Sequence, residues 1–451
     1  LHVTDKKNNY IHMKRLLYFS LTFCFLIFWS SCRKDFDFSP STGTLQFSKD
    51  TVYLDTVFTN IGSSTYNLKV YNRSKNDILI PSIKLALGSA SNYRLNVDGM
   101  AGKTFENIQI LANDSLYIFV ESTIDFNNFP NPDGQFLYTD QIEFDAGTNL
   151  QKIELVTLVQ DAVFIYPSRD STTKVIETLS LNVGGEILET ELQGRELLLN
   201  ELTFTNDKPY VIYGFAAVPK GETLTINAGA RIHFHDNSGL IITEGASLQV
   251  NGIVSSNPEL LENEVIFEGD RLEPDFSDTP GQWGTIWLFD GSTNNTINYA
   301  TIKNATVGIL CDGNPDVPTE KLKITNSQIY NSSSFGILGR NTSIKAENVV
   351  VNNSGQSSVA GTFGGKYNFT HCTIANYWNN GFRQFPSLLL NNFVLDEENN
   401  ATIADLTEAN FNNCIIYGND NPEIFGLVCF FVKIIVHFYN ITILEGFWGF
   451  G

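Results

Sequence analysis

Three places in this sequence gather side chains with chemistry to offer. Trp283 and Trp287 stand four residues apart in Gly281-Gln-Trp-Gly-Thr-Ile-Trp-Leu288. Strict strand alternation puts both indoles and Thr285 on one outward face. A flat indole packs well against a sugar ring, so this pair is the candidate ligand-binding strip, with Trp378 a weaker candidate in a turn. The competing reading is that residues 255–280, taken as a loop, fold over the pair. Asp312, Asn314 and Asp316 alternate oxygen ligands, with Glu320 near, and Glu268, Asp270, Glu273, Asp275 and Asp278 crowd another stretch. Calcium takes about six to eight such oxygens, so calcium is the cofactor considered at Asp312, Asn314 and Asp316. The run lacks the following Gly and spaced Glu of an EF-hand loop, and solvated turns explain it as simply. His233 and His235, separated by two, share a face beside Asp236. A two-His pair without a third firm ligand reads more simply as surface histidine than as a metal site.

No catalytic residue is assigned. A sugar-cleaving site wants paired carboxylates, or carboxylates with a Lys or Arg base, in one groove. Arg271, Arg340 and Arg383 stand isolated, and the sequence holds no G-x-S-x-G, H-E-x-x-H or phosphate loop.

The elements that must position these residues are repetitive. One phrase recurs five times: Ile297-Asn-Tyr-Ala-Thr-Ile302, Ile324-Thr-Asn-Ser-Gln-Ile329, Ala346-Glu-Asn-Val-Val-Val351, Phe369-Thr-His-Cys-Thr-Ile374 and Phe411-Asn-Asn-Cys-Ile-Ile416. The closing residue returns after 27, 22, 23 and 42 residues, the last gap being two turns or one turn with an insertion. Units this short cannot bury their own apolar face and must stack on their neighbours. Small residues then stack on small (Ala300, Ser327, Cys372, Cys414, with Val349 the exception), and branched on branched (Ile302, Ile329, Val351, Ile374, Ile416). Tyr299, Asn326, Asn348, His371 and Asn413 sit where the chain bends, because Asn tolerates the left-handed backbone a bend needs. Asn304, Asn331, Asn353 and Asn376 follow in the first four copies. Further up, Leu224 and Ile226 match Leu240 and Ile242 at a spacing of 16, and Ile232 and Phe234 match Leu248 and Val250. The pattern resembles the right-handed parallel β-helix repeat. The resemblance implies a rigid stacked rod and a class that binds or cleaves polysaccharides.

Residues 43–162 instead carry short period-2 strands separated by turn signals: Thr51–Phe58, 66–71, Ile78–Leu85, 116–124, 136–144 and 153–159. Seven or eight such strands read as a β-sandwich. Phe58-Thr-Asn-Ile-Gly62 with Leu68-Lys-Val-Tyr-Asn72 resembles the Ig-like domains that precede repeat regions in envelope proteins, although the Cys…Trp…Cys hallmark is missing. The fold class is therefore all-β: an N-terminal Ig-like β-sandwich followed by a right-handed parallel β-helix. Between them, the Leu and Ile spacing over 186–199 suggests a short amphipathic helix capping the first coil.

The ends and the charge bound the setting. Met13, Lys14-Arg15, an apolar run and Ser30-Ser31-Cys32 form a signal peptide in which Cys32 is the lipidation site, resembling a lipoprotein signal. Arg33 after Cys32 points to the outer membrane rather than inner-membrane retention. Net charge is −20, which argues against nucleic acid as a partner. Cys311, Cys372, Cys414 and Cys429 show no zinc spacing, and Cys372 and Cys414 read as small core residues, with a mutual disulfide as the alternative. After Phe425 the chain becomes apolar without a visible repeat phase, as in a frameshifted or truncated reading, a cap strand or a membrane-associated tail.

The expected organisation is upstream sequence (1–12), signal peptide (13–31), lipidated tether (32–42), Ig-like β-sandwich (43–162), linker or cap (163–206), right-handed parallel β-helix (207–425) and anomalous apolar tail (426–451). The expected function is that of a lipid-anchored outer-membrane or cell-surface protein, facing the periplasm or the exterior. It would bind polysaccharide or glycan, or act in adhesion, without catalysis. The alternatives are a polysaccharide lyase or glycosidase and a structural envelope protein.

Overall fold

In the computed structural model, residues 38–129, 133–313, 315, 318–419, 423–427, 436–439 and 442–444 are described. The signal peptide, Cys32, Asn314 and Asp316 lie outside them. The chain is all-β, and it divides into two compact units, one of residues 1–54, 63–122 and 139–156, the other of 55–62, 123–138 and 157–451.

The strands of residues 39–160 form two sheets. One runs Ser39–Pro40, Ile78–Leu85, Gln135–Phe144, Gln151–Gln160, Thr51–Phe58, with Thr104–Ile110 also on Ile78–Leu85. The other runs Gln46–Phe47, Tyr66–Tyr71, Ser115–Ser122, Tyr93–Val97, Met100–Gly102. Alternation decides what each buries: Leu68, Val70, Ile118 and Val120 point inward from one, and Ile83, Leu85, Ile142 and Phe144 from the other. Phe47 and Phe144 meet across the sheets with ring centroids 4.8 Å apart.

From Val163 onward one stack of parallel strands begins, each pairing with the strand one repeat further on. Tyr210–Ile212 lies on Arg231–Phe234, Phe215–Val218 on Gly239–Ile242, and Thr223–Asn227 on Ser247–Asn251. Three strands therefore make one repeat. This corrects the spacing of 16: Leu224 pairs with Leu248, 24 residues on, and Ile232 with Phe267. Matching at 16 is coincidence between different strands, since every strand of such a stack carries the same alternation of inward apolar residues.

The repeated phrase stacks in register. Ile297 pairs with Ile324, Ile324 with Ala346, Ala346 with Phe369 and Phe369 with Phe411. The closing column runs Ile302, Ile329, Val351, Ile374, Ile416, every member fully buried. Each such side chain contributes about 1.5–3 kcal/mol by leaving water. Tyr299, Asn326, Asn348, His371 and Asn413 all have φ between 45 and 56°, the left-handed backbone of the bend. Their amides form a ladder: Asn348 Nδ2 donates to Asn326 Oδ1 at 2.8 Å, and Asn326 Nδ2 to Asn298 Oδ1 at 3.0 Å.

One choice left open is decided, and three further expectations change. Ile374 pairs directly with Ile416, so the 42-residue gap is one turn with an insertion, which carries the hairpin Phe393–Leu395/Ala401–Ile403. The stretch 255–280 is not all loop, because Val265–Gly269 pairs with Arg231–Phe234 below and Ala300–Lys303 above. The segment 186–199 is no helix: Glu186–Glu196 pairs with Thr178–Val183 in a hairpin around the positive-φ pair Gly184 and Gly185, and its Gly194–Glu196 end joins the stack. A Cβ at Gly194 would lie 2.2 Å from the Phe215 carbonyl oxygen, which explains the glycine that disfavoured a helix. Finally, two described strands within the apolar tail, Val436–Tyr439 and Thr442–Leu444, keep the repeat phase. Phe438 pairs with Phe411 and Ile443 with Ile416, making Phe438-Tyr-Asn-Ile-Thr-Ile443 a sixth copy of the phrase.

Candidate functional site: an aromatic cleft on the parallel stack

The strand Trp283–Leu288 decides the fate of the indole strip. Its pairing with Ala305–Asp312 shifts register between Thr285 and Ile286. That bulge resets the alternation, so Trp283 before it and Ile286 and Leu288 after it all enter the core. Trp283 is 1% exposed. Its ring stacks on Phe234 at 4.3 Å, and its Nε1–H donates to the Lys303 carbonyl at 2.9 Å. Trp283 is therefore a core residue, and it shares no outward face with Trp287. Trp287 is half-buried against Phe289 at 5.2 Å, with its Nε1–H donating to Asp312 Oδ2 at 2.7 Å. Trp283 has no exposed indole face, and Trp287 is held by Asp312 and Phe289.

Asp312 is the described member of the three residues considered for calcium. Its carboxylate takes a two-pronged hydrogen bond from Arg340 as well as the Trp287 indole N–H, so three of its roughly four acceptor positions are used by protein groups. The Lys321 ammonium, on a residue 1% exposed, is held by the Phe289 carbonyl at 2.6 Å and by the Asp312 carbonyl. Among the described residues no cluster of His, Cys, Asp and Glu is arranged to hold a metal ion. Cys372 and Cys414 are buried and neighbouring, each with its thiol donating to a backbone carbonyl.

The residues facing outward along and just beyond Tyr210–Ile212, Arg231–Phe234 and Val265–Gly269 fall in two columns. In one, His233 pairs with Glu268, and the Lys303 ammonium bridges to Glu268 at 2.7 Å, with Tyr330 next above Lys303. His233 is buried, in edge contact with the Phe58 ring at 4.9 Å, which corrects the surface-histidine reading at this position. Burial pushes the Glu268 carboxyl up, but His233 and Lys303 outweigh it and the net displacement is downward. Lys303 moves upward for the converse reason, with Glu268 overcoming the burial that opposes it.

The second column is Tyr213, His235 and Asp270. The Tyr213 and His235 rings stack at 4.3 Å with 25° between their planes. His235 Nδ1 lies 2.8 Å from Asp270 Oδ2, and this hydrogen bond raises the imidazole pKa against partial burial. Burial raises the Tyr213 hydroxyl to about 12. This column forms part of the wall of a cleft of about 1220 Å³ that lies within the second unit. Tyr166, Phe164 and Phe215 add apolar wall, while Asn60, Arg169, Glu191, Asp236 and Asn237 supply polar groups. Tyr166 is 63% exposed. A flat aromatic pair beside amides, carboxylates and a guanidinium suits a ligand with one apolar face and a hydroxylated edge.

The sequence drew attention to His235 and Asp236 for a metal, to Thr285 beside the indoles and to residues 59–61 in an Ig-like stretch, but not to any of them as parts of one cleft. The available signal was spacing. Tyr213 and His235 lie 22 residues apart, one repeat, immediately beyond the paired Ile212 and Phe234.

No family model matches the chain, and no curated protein matches it. Among solved structures it is similar to an ASH/PapD-like domain of human CEP192, at 12% identity, TM-score 0.17, covering 29% of this chain and 94% of that one. It is similar to a family 123 glycoside hydrolase from Clostridium perfringens, at 10% identity, TM-score 0.18, covering 26% of each chain. A third similarity is to the periplasmic chaperone SfaE, at 14% identity, TM-score 0.17, covering 26% of this chain and 57% of that one.

Proposed function

We propose that the chain is a lipid-anchored envelope protein whose cleft binds carbohydrate without cleaving it. In this reading Cys32 carries the acyl chains that tether it to the outer membrane, and residues 43–162 form an Ig-like spacer. The parallel stack is a right-handed β-helix, supported by its three-strand repeat and by the right-handed rule for parallel crossovers. The single observation that carries the functional reading is the Tyr213–His235 stack in a polar-rimmed cleft of about 1220 Å³, space for several sugar rings. A stacked repeat is a stiff support, so the platform is preorganised and binding costs little ordering.

A second reading, glycan cleavage, is favoured by the Glu268–Lys303 pair with Tyr330 beside it. These are a carboxylate, an amine and a phenol on neighbouring strands. Their side chains are only 22 and 19% exposed, which favours the structural role of a shielded ion pair.

The test is to offer the protein a panel of neutral and acidic polysaccharides and to read both retention on immobilised polymer and new reducing ends. Retention without products supports the proposal. Products that vanish in Lys303→Met would replace it with the lyase or glycosidase reading, and neither signal would leave a structural envelope role.

A further inference from the structure

The second sheet of the first unit has an outer face unlike the rest of this acidic chain. On Tyr66–Tyr71 the outward residues are Asn67, Lys69 and Tyr71, and on Ser115–Ser122 they include Tyr117 and Phe119. Register fixes their neighbours. Lys69 stands opposite Tyr117, and Phe119 stands between Asn67 on one side and Asn96 on the other. Tyr117 and Phe119 are 47 and 43% exposed, and their rings lie 6.2 Å apart and within 15° of parallel. The Lys69 ammonium sits 4.9 Å from the Tyr117 ring and 5.4 Å from the Tyr71 ring, and the Arg73 guanidinium is 4.3 Å from Tyr71. Among the outward residues of this sheet the one carboxylate is Glu121, bridged to Arg94 at 3.6 Å and hydrogen-bonded by Thr65.

Exposed aromatics on a sheet cost solubility and invite aggregation, so a face that keeps them in a regular row, flanked by amides and cations, is adapted to contact something. Three features select the occupant. The rings are near-parallel, 6.2 Å apart and partly exposed, which suits contact with successive sugar rings. Asn67 and Asn96 offer amide donors and acceptors on both flanks. Lys69 and Arg73 give local positive charge on a chain of net charge −20. Two cations are too few for an anionic membrane surface, which is recognised by clusters of about four to eight. We propose that this sheet face is a binding platform for an acidic polysaccharide, whose sugar rings lie on Tyr117 and Phe119 and whose carboxylates meet Lys69 and Arg73. It is separate from the cleft and does not depend on it.

The test is affinity electrophoresis of the whole chain in gels containing polygalacturonate, with dextran as the neutral polymer, and co-sedimentation with anionic vesicles. The proposal expects retardation by polygalacturonate that weakens with salt. It expects a loss of about tenfold in Tyr117→Ala and in Lys69→Gln, the latter keeping the stem that packs on the rings. Tyr213→Ala, in the cleft, retains the binding. Tyr117 is exposed and Lys69 half-buried on the outer face, and an unaltered unfolding curve checks that the sheet stands. The proposal is overturned by no retardation in polygalacturonate, by retardation that survives both variants, by retardation lost in Tyr213→Ala, or by binding to vesicles alone. A chain that takes up neutral glycans through Tyr213 yet ignores polygalacturonate removes the platform and leaves the cleft.

Discussion

Trp283→Ala separates a core role from a surface role with a number. The side chain is 1% exposed, stacks on Phe234 at 4.3 Å and donates its indole N–H to the Lys303 carbonyl at 2.9 Å. Truncating a buried Trp to Ala costs about 3–5 kcal/mol, of which the aromatic pair accounts for about 0.5–1.5 kcal/mol. Trp283→Phe keeps most of the volume and loses the hydrogen bond, for about 1 kcal/mol plus the cost of an under-satisfied carbonyl. Domains have total stabilities of about 5–15 kcal/mol, so the Ala variant removes a large share and the Phe variant a small one. The assay is urea unfolding followed by far-ultraviolet circular dichroism. Midpoints are compared rather than extrapolated free energies, because stacked repeats need not unfold in one step. Hydrogen exchange of the Arg231–Phe234 and Ala300–Lys303 amides localises the effect. A Trp283→Ala midpoint within experimental error of the parent, together with weakened glycan retention, would place this indole on the surface and refute the bulge argument.

Other consequences follow from the same contacts. Asn348→Ala loses a ladder bond worth about 1 kcal/mol and adds about 1–2 kcal/mol for an alanine at φ 56°; Asn348→Gly recovers the backbone part, and the two urea midpoints read the difference. Glu423 accepts hydrogen bonds from both terminal nitrogens of Arg383, at 3.0 and 2.7 Å, and the two side chains are 6 and 3% exposed. Glu423→Ala should therefore cost about 3–5 kcal/mol, seen as faster exchange of the Leu388–Asn391 amides. His235, raised by Asp270, contributes stability that is complete below the unfolded histidine pKa and is lost as pH rises through the folded value. Asp270→Asn should thus destabilise at acid pH, with a difference that shrinks toward alkaline pH and stays under about 1 kcal/mol because the imidazole is half exposed. A difference that grew with pH would reverse the assignment.

The sequence made the stack legible because one constraint repeats: the same bend needs the same left-handed residue each time, so Asn326, Asn348 and Asn413 mark it without any structure. The columns from Ile297 to Ile416 followed directly. What was hidden depended on single local events or on distant chain. One bulge at Thr285/Ile286 moved Trp283 from the expected outer face into the core, and bulges leave no periodic trace. Residues 186–199 satisfied a helical spacing and a strand equally, and the hairpin won through Gly184 and Gly185. The sixth phrase at 438–443 was masked by apolar flanks. The cleft draws on residues 59–61, 164–176, 191–193, 213–215 and 235–237, which nothing short of the folded register brings together.

The most direct test of the account compares two aromatic variants in binding to the best glycan of the panel by titration calorimetry. Tyr213 forms the platform of the cleft, whereas Trp287 is committed to Asp312 and Phe289. Tyr213→Ala is expected to weaken binding by about tenfold or more while Trp287→Ala leaves it unchanged, since a lost stacking contact is worth about 1–3 kcal/mol. Binding that survives Tyr213→Ala and falls in Trp287→Ala would contradict it and return the site to the indole strip.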